Sequence, residues 1–349
     1  MDTLQLTKPN GETYEMDAAA YGHLIHDNYQ QMDFVFAPEF IRYRRQHVTA
    51  TLAANLKAGM DDISCALIDH LEDMYDLLPM LPKVMVSNAA VFTPEDHQRY
   101  QLWQQMLASK SLPPQFAKLP SFCPSEYVNK YGLYDSKPQV LDYINGKDVI
   151  DGGAYIGDTT LLFHELFPQS RLYAIEPASS NVKYMQERTL CELLKTDSSR
   201  VFTVHAGVGE HHDRMTITKP SGFATYSLLF TDENTPSYKE HRSASFVPDS
   251  EEVDIITIDD LVQERQLNVG LIKLDIEGFE PHALRGALHT IKTQRPVIIS
   301  AIYHTPEEYY ELKPYLESLD LGYEFKLRYS GSRQPYYETV LIATPQHLK

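Results

Sequence analysis

The chain has 349 residues, with 48 acidic against 31 basic side chains, a formal net charge of −17 and 43% apolar residues, a globular composition with room for more than one domain-sized unit. The excess of acid argues against a nucleic-acid partner, whose phosphates draw on Lys and Arg. No apolar run reaches the length of a membrane span, and Met1-Asp2-Thr3-Leu4 does not open a signal peptide. Cys65, Cys123 and Cys191 are scattered and form no metal-type pair, which points to a reduced, cytoplasmic setting.

Residues 1–120 read as a mainly helical region. Ile63, Leu67, Leu71 and Met74 recur at helical spacing across Asp61–Leu78, a second helix is expected at Ala50–Met60 and a third at Glu95–Ser109. The prolines of Leu112-Pro113-Pro114 and Leu119-Pro120 then break the pattern and set the boundary with a second unit, residues 121–349. The first region can serve oligomerisation, act as a lid or dock a substrate, and nothing in its sequence chooses among these. Tyr127, Tyr131 and Tyr134 read as core or surface aromatics, with capping of a ligand pocket as the alternative.

From Lys147 onward strands and helices alternate, the pattern of a doubly wound, mostly parallel α/β sheet. Strands are expected at Asp148–Asp151, Leu172–Glu176, Phe202–Ala206, Leu271–Asp275 and Val297–Tyr303, with helices at Thr160–Phe167, Asn181–Lys195, Glu280–Thr293 and Pro306–Leu319. Tyr323–Tyr329 and Thr339–Thr344 close the chain as an antiparallel pair, giving seven strands. Between Gly207 and Val253 lies a polar insertion, with extra strands expected at Met215–Thr218 and Thr225–Phe230 and a loop at Asp232–Arg242. Asp259 or Asp260 reads as the N-cap of the helix that follows Thr257.

The first strand ends in Asp151-Gly152-Gly153-Ala154-Tyr155-Ile156-Gly157-Asp158-Thr159, a glycine turn leading into a helix N-terminus. Such junctions bind nucleotide-type cofactors. The second strand ends in Glu176-Pro177, nineteen residues past Gly157, where an acid suits the two hydroxyls of an adenosine ribose. The glycines miss the G-x-G-x-x-G dinucleotide pattern, and Asp151 and Asp158 would repel a pyrophosphate. Those acids suit a cofactor with a cationic amino-acid end, such as S-adenosylmethionine. Gly207 and Val208, after the third strand, complete the candidate cofactor pocket.

Along Leu271–Glu280, Ile272, Leu274 and Ile276 fall on one face of a strand and Lys273, Asp275 and Glu277 on the other. Charges on a central strand are costly unless paired or used. Asp275, at the strand's carboxyl end, and Lys273 are therefore candidate catalytic residues; a structural pairing of Lys273 with Asp275 or Glu277 is the alternative. His304 follows the fifth strand and opens a helix at Pro306. It is the first choice of general base, with Asp275 second. A metal is not predicted, although Asp275, Glu277 and His304 form an open ligand set. His211 and His212 read as solvated.

Val149-Ile150-Asp151-Gly152-Gly153-Ala154-Tyr155-Ile156-Gly157-Asp158, Ile175-Glu176-Pro177, Thr257-Ile258-Asp259-Asp260-Leu261, Ile272-Lys273-Leu274-Asp275-Ile276-Glu277-Gly278-Phe279-Glu280 and Ile302-Tyr303-His304 together resemble the FkbM-type methyltransferases. The pieces fall in the family's order over about residues 140–345, and residues 1–120 match nothing in it. The resemblance implies a class I methyltransferase sheet, S-adenosylmethionine as methyl donor and a hydroxyl acceptor on a glycan or secondary metabolite. It implies that Gly153, Ala154 and Gly157 pack against the donor's amino-acid end, Glu176 against its ribose and Asp275 near the methyl group. Two positions depart from the family: Gly152 stands where many relatives have an aliphatic residue, and Ile302 where many have a glutamate. An NAD(P)-dependent oxidoreductase and a non-catalytic scaffold in a biosynthetic complex are the rival readings. Expected partners are thus a small-molecule or glycan acceptor and a second copy of the chain docked through the N-terminal region, with no nucleic acid and no membrane span.

Overall fold

Apolar runs that stay buried on both faces become interior parallel strands, and the amphipathic stretches between them cover the sheet. A computed structural model describes residues 3–7, 13–17, 29–32, 34–81, 85–87, 94–109, 112–119, 124–194, 198–219, 249–331 and 336–348. The N-terminal part contains strands β1 (Thr3–Thr7), β2 (Thr13–Asp17), β3 (Tyr29–Gln31) and β4 (Met85–Ser87), paired as β1–β2 and β3–β4. Its helices are α1 (Ala37–Gln46), α2 (Thr49–Lys57), α3 (Asp62–Asp76) and α4 (Pro94–Ala108). Two further helices, α5 (Pro124–Asn129) and α6 (Pro138–Ile144), lead to the sheet.

The sheet unit runs β5 (Asp148–Gly152), α7 (Asp158–Leu166), β6 (Leu172–Glu176), α8 (Ser179–Tyr184), β7 (Val201–His205), β8 (Gly207–Val208), β9 (Asp213–Lys219), β10 (Asp249–Ile256), α9 (Ile258–Arg265) and β11 (Val269–Leu274). It ends with α10 (Glu280–Arg285), α11 (Leu288–Gln294), β12 (Val297–Ala301), α12 (Pro306–Ser318), β13 (Tyr323–Tyr329) and β14 (Thr339–Pro345). Seven strands make one sheet in the order β13-β14-β12-β11-β5-β6-β7. All neighbours are parallel except β14, which runs antiparallel to β12 and β13. The order reverses between β5 and β11, so the carboxyl ends of these two strands frame the crevice where such sheets bind ligands. Among the described residues no helix is long and apolar enough to cross a membrane.

The expected strands and helices among the described residues appear with ends shifted by up to three residues, and the informative differences have local causes. The single helix expected at Glu280–Thr293 is two, because the Gly286 carbonyl is drawn out of the helix to accept the Asp259 N–H at 2.9 Å. The Asp259 carboxylate then caps α11, accepting from the backbone of His289 and Thr290. The cap of α9 is Thr257 rather than either aspartate; its hydroxyl accepts from the Asp260 N–H. The helix expected at Asn181–Lys195 is α8 followed by π-wound turns over Met185–Leu194. In the insertion, Met215–Thr218 lies within β9, which pairs with β10, and β10 pairs in turn with β8, in a separate small sheet. The strand expected at Thr225–Phe230 and the loop at Asp232–Arg242 fall outside the described residues.

The expected N-terminal helices are present, and α1, α2 and α3 share the sheet's hydrophobic core. Phe34, Phe40, Leu67, Leu71 and Tyr75 belong to the same buried cluster as Tyr309, Leu312, Phe325 and Leu327. One cation ties the seam. Arg328 on β13 is buried, and its guanidinium reaches Asp61, the N-cap of α3, at 2.5 Å and Asp135 at 2.5 Å. Ser64 Oγ accepts from it at 2.9 Å. Burial alone would raise the Asp61 carboxyl, but Arg328 and Ser64 outweigh it and hold it well below the usual carboxylate range. Losing the cation strands two carboxylates. Arg328→Met should therefore destabilise the fold by about 3 kcal/mol in chemical denaturation. Because the folded Asp61 pKa is depressed, its contribution is complete above about pH 4 and lost as pH falls further. A change under about 1 kcal/mol, the range of surface pairs, would show that the seam does not depend on Arg328.

Candidate active site

The glycine turn after β5 is built from the inside. Lys273 pairs with Asp151 across the β5–β11 ladder, Nζ to Oδ1 at 3.0 Å, with both side chains buried. The same ammonium donates to the carbonyls of Gly153 at 2.9 Å and Gly152 at 3.2 Å. Its three protons are thus spent on the turn, and the partner is Asp151 rather than Asp275 or Glu277. Burial pulls the amine down, but Asp151 and Asp275 outweigh it, and Lys273 stays charged. Asp151 also accepts from the hydroxyls of Thr159 and Thr160, so three candidate residues, Asp151, Thr159 and Lys273, are interior supports.

The glycines answer the same packing. A Cβ on Gly153, whose φ is +72°, would lie 1.8 Å from the Asp275 carbonyl oxygen, and one on Gly157 (φ +84°) would lie 2.9 Å from Met185. On Gly152 it would meet Leu274, and on Gly207 it would meet Ile255. Their missing side chains make room for the protein itself. Ala154 and Val208 are buried, whereas Gly153, Tyr155, Asp158 and Pro177 keep part of their surface open.

Glu176 closes β6. One of its oxygens accepts from the Tyr155 N–H at 3.0 Å, the other from the Ala178 N–H and the Asn181 amide, each at 3.0 Å. Burial raises its pKa to about 7 against these donors. Asp158, at the start of α7, is likewise raised by burial, to about 6, with Lys273 opposing.

Asp275 stands one residue beyond β11, its N–H bonded to the Gly152 carbonyl at 3.1 Å. Tyr131 donates its hydroxyl to Asp275 Oδ2 at 2.6 Å, and the Tyr303 hydroxyl lies 3.3 Å away. Tyr131, one of three tyrosines read as core or surface, is thus buried core that also reaches the site.

His304 is brought to the same place. Its Nε2 lies 3.4 Å from Asp275 Oδ1 and 3.7 Å from Glu277 Oε2, and its Nδ1 lies 3.3 Å from Glu280 Oε1 and 3.5 Å from Glu308 Oε2. The ring is 1% exposed, and neither nitrogen reaches a hydrogen-bond partner. Burial would lower its pKa, but Glu280, with Glu308 and Glu277, outweighs burial and raises it well above the usual imidazole range. Four carboxylates around one ring favour its protonated form.

Four residues of this cluster were not identified from the sequence. Glu280 closes the loop after β11 by accepting the N–H groups of Ile276 and Gly278. Glu308 accepts from the backbone of His304 and Thr305 in the capping box of α12, a spacing of Thr305 and Glu308 that was legible in advance. Glu338 is raised to about 8 by burial and by the charge of Asp275. Phe36, from the N-terminal region, packs its ring edge-on against His304 with centroids 5.4 Å apart.

A doubly wound sheet whose seventh strand inserts antiparallel, with a glycine turn and acids at the carboxyl ends of its central strands, defines a class I methyltransferase fold. The chain belongs to the FkbM family: the profile described as "Methyltransferase FkbM domain" matches residues 151–325. It is similar to "Methyltransferase 1" of Beauveria bassiana (strain ARSEF 2860), 27% identical over 169 residues that span 46% of this chain and 66% of that protein, just under two thirds of its length. Similar solved structures include the FkbM methyltransferase of Methylobacillus flagellatus KT, at 20% identity and TM-score 0.42 over 71% of this chain and 59% of that one. Another is precorrin-6y C5,15-methyltransferase of Geobacter metallireducens GS-15, at 15% identity and TM-score 0.34 over 59% and 85%.

The contact between Gly153 and Asp275 makes a direct test. Gly153→Ala must push the turn away from β11, so it should cost at least about 2 kcal/mol in thermal or chemical unfolding. Gly146→Ala, also at positive φ but with its nearest atom 3.7 Å away, controls for backbone strain alone. Equal losses in the two variants would mean that the close approach does not govern the turn.

Proposed function

We propose that this methyltransferase uses S-adenosylmethionine to methylate a hydroxyl group of a glycan or secondary metabolite. The observation that carries the reading is the concentration of acid around one crevice. Glu176, Asp158, Asp275, Glu277 and Glu338 gather at the carboxyl edge of the sheet, and Glu176, Asp158 and Glu338 are all pushed upward in pKa. A donor set of carboxylates fits a ligand carrying a sulfonium and an ammonium, and it opposes the pyrophosphate of a nicotinamide cofactor. A scaffold without chemistry gains nothing from such crowding, which costs folding energy.

In this reading Glu176 accepts the ribose hydroxyls, and Asp158, with the open surface of Gly153 and Tyr155, takes the amino-acid end. The cofactor, when bound, supplies a methyl group already activated on sulfur, which passes to the acceptor oxygen and leaves the sulfur as a neutral thioether. Asp275, held by Tyr131 and Tyr303, orients the acceptor hydroxyl and draws off its proton. Lys273 positions the turn without touching substrate. Tyr303 reaches Asp275 and packs against Tyr337, and Phe36 packs on the neighbouring His304; in this reading these rings take the apolar face of a sugar or an aromatic acceptor, and the N-terminal region contributes to acceptor binding.

Titration calorimetry with S-adenosylhomocysteine should give micromolar binding, none with NAD, and a loss of about tenfold or more in Glu176→Ala. Asp275→Asn should keep that affinity within about threefold, since the carboxylate acts on the acceptor side. Only the ionised Glu176 accepts both hydroxyls, and its folded pKa of about 7 lies above the unfolded one. Affinity should therefore rise about tenfold from pH 6 to pH 8. Tight NAD binding, or S-adenosylhomocysteine affinity indifferent to Glu176, would overturn the reading.

A further inference from the structure

We propose that the groove between α1 and α12 binds an oligosaccharide, and that it holds the part of the acceptor beyond the sugar that is methylated. The inference deepens the transferase reading and rests on it for the chemistry at the occupant's reacting end.

Both helices start at the active site and run away from it side by side. Phe36, the N-cap of α1, packs on His304 with centroids 5.4 Å apart, and Thr305, the residue after His304, caps α12. Further along, Phe40 meets Tyr309 with centroids 6.5 Å apart, and Tyr43 stacks on Tyr310 at 5.6 Å. Glu39, Arg42, Tyr43 and Gln46 recur at i, i+3, i+4 and i+7, so they share one face of α1. Glu307 and Glu311 share a face of α12. With His47, at the end of α1, these residues line a cavity of about 500 Å³, within the range of small-ligand sites. At about 1.5 Å per residue, the stretch from Phe36 to His47 covers about 16 Å, longer than a single sugar ring.

The lining decides which ligand fits. Glu39, Glu307 and Glu311 accept hydrogen bonds, Arg42 donates them and Gln46 does both. Arg42, Gln46 and Glu307 make no side-chain hydrogen bond or ion pair among the described residues, so their polar groups are available to a ligand. An anionic ligand would meet three carboxylates against one guanidinium, and a bare cation would leave Arg42 unanswered. Hydroxyls both donate and accept, so a neutral polyol satisfies both kinds of group.

A ring stack adds an apolar surface. The Tyr43 hydroxyl donates to Glu311 Oε1 at 2.6 Å, and burial together with Glu311 pushes the phenol up, so it remains a donor. The His47 imidazole lies on Tyr43 at 3.9 Å with planes 18° apart. Its Nδ1 donates to the Tyr43 carbonyl at 2.9 Å, which holds the ring in that stack. His47 is exposed, so the outer face of its ring is open to the C–H face of a sugar. The family's profile covers residues 151–325, so one wall of the groove, α1, comes from outside the shared domain.

The test applies the fluorescently labelled full chain, with S-adenosylhomocysteine present, to an array of neutral oligosaccharides printed beside their monosaccharides and beside sulfated and amine-bearing counterparts. A neutral oligosaccharide should bind at least about tenfold more strongly than its monosaccharides. His47→Ala and Glu307→Gln, both at exposed positions, should each weaken that binding about fivefold or more, whereas His47→Phe, which keeps a flat ring, should retain it. S-adenosylhomocysteine affinity should be the same in all three variants. With isotope-labelled S-adenosylmethionine the bound oligosaccharide should gain methyl label, and a bound oligosaccharide that gains none overturns the link to the acceptor. No oligosaccharide binding, binding confined to sulfated or amine-bearing sugars, or binding unchanged in both His47→Ala and Glu307→Gln overturns the inference. S-adenosylhomocysteine binding without oligosaccharide binding sinks the groove and leaves the transferase standing. Oligosaccharide binding that responds to His47 and Glu307, without S-adenosylhomocysteine binding, keeps the groove and removes the transferase reading.

Discussion

The buried pair of Lys273 and Asp151 is the interaction on which the site depends. The two residues face each other in register on β11 and β5, and the lysine's remaining protons go to the carbonyls of Gly152 and Gly153. This draws the turn back onto β11 until Gly153 touches the Asp275 carbonyl and the Gly152 carbonyl accepts the Asp275 N–H. The position of Asp275 relative to the turn is thus set by a charge pair beneath both. Two charges out of water are costly, and neither is tolerable without the other. The pair accounts for a lysine in an otherwise apolar strand more directly than a catalytic role does.

Above that pair the balance is reversed. The carboxyl edge collects more carboxylates than it has cations to match, and its acids respond by holding protons: Asp158 to about 6, Glu176 to about 7, Glu338 to about 8. Glu280 goes the other way, to about 2, because burial is outweighed by His304. Neutral and ionised carboxyls therefore sit side by side, an arrangement that a cationic ligand relieves and an anionic one aggravates.

Much of this was legible in the residues. Continuous apolar runs ending in acids marked β5, β6 and β11, and the adjacent glycines marked the turn. Pairings between distant segments were not legible. Periodicity could assign Lys273, Asp275 and Glu277 to one strand face, but the partner of Lys273 is set by the neighbouring strand and its register. The glycines suggested room for a ligand, whereas each opens onto the protein's own atoms, because sequence does not reveal what lies behind a missing Cβ. His304 comes beside Asp275, where the end of the fifth strand brings it, but buried. Its charge state depends on Glu280 and Glu308, which converge on it only once α10 and α12 have packed. The break in the helix after Glu280 came from Asp259 on another helix, which no local propensity could signal.

The surroundings of His304 are built from segments far apart in the chain. Ile302, two residues before the histidine, is 1% exposed and belongs to the core. Two acids stand beside Nδ1, Glu280 and Glu308, and one oxygen of Glu308 is held by the backbone of His304 and Thr305. A capping residue thus does two jobs, closing the first turn of a helix and standing against a buried imidazole. Phe36 then covers the other side of that ring from a segment more than 260 residues away in sequence. The histidine's surroundings are therefore assembled from the N-terminal region, the loop after β11 and the start of α12. The N-terminal helices cannot be regarded as an appendage to a finished enzyme, because the same packing that buries Tyr75 against Tyr309 also seats Phe36 on His304.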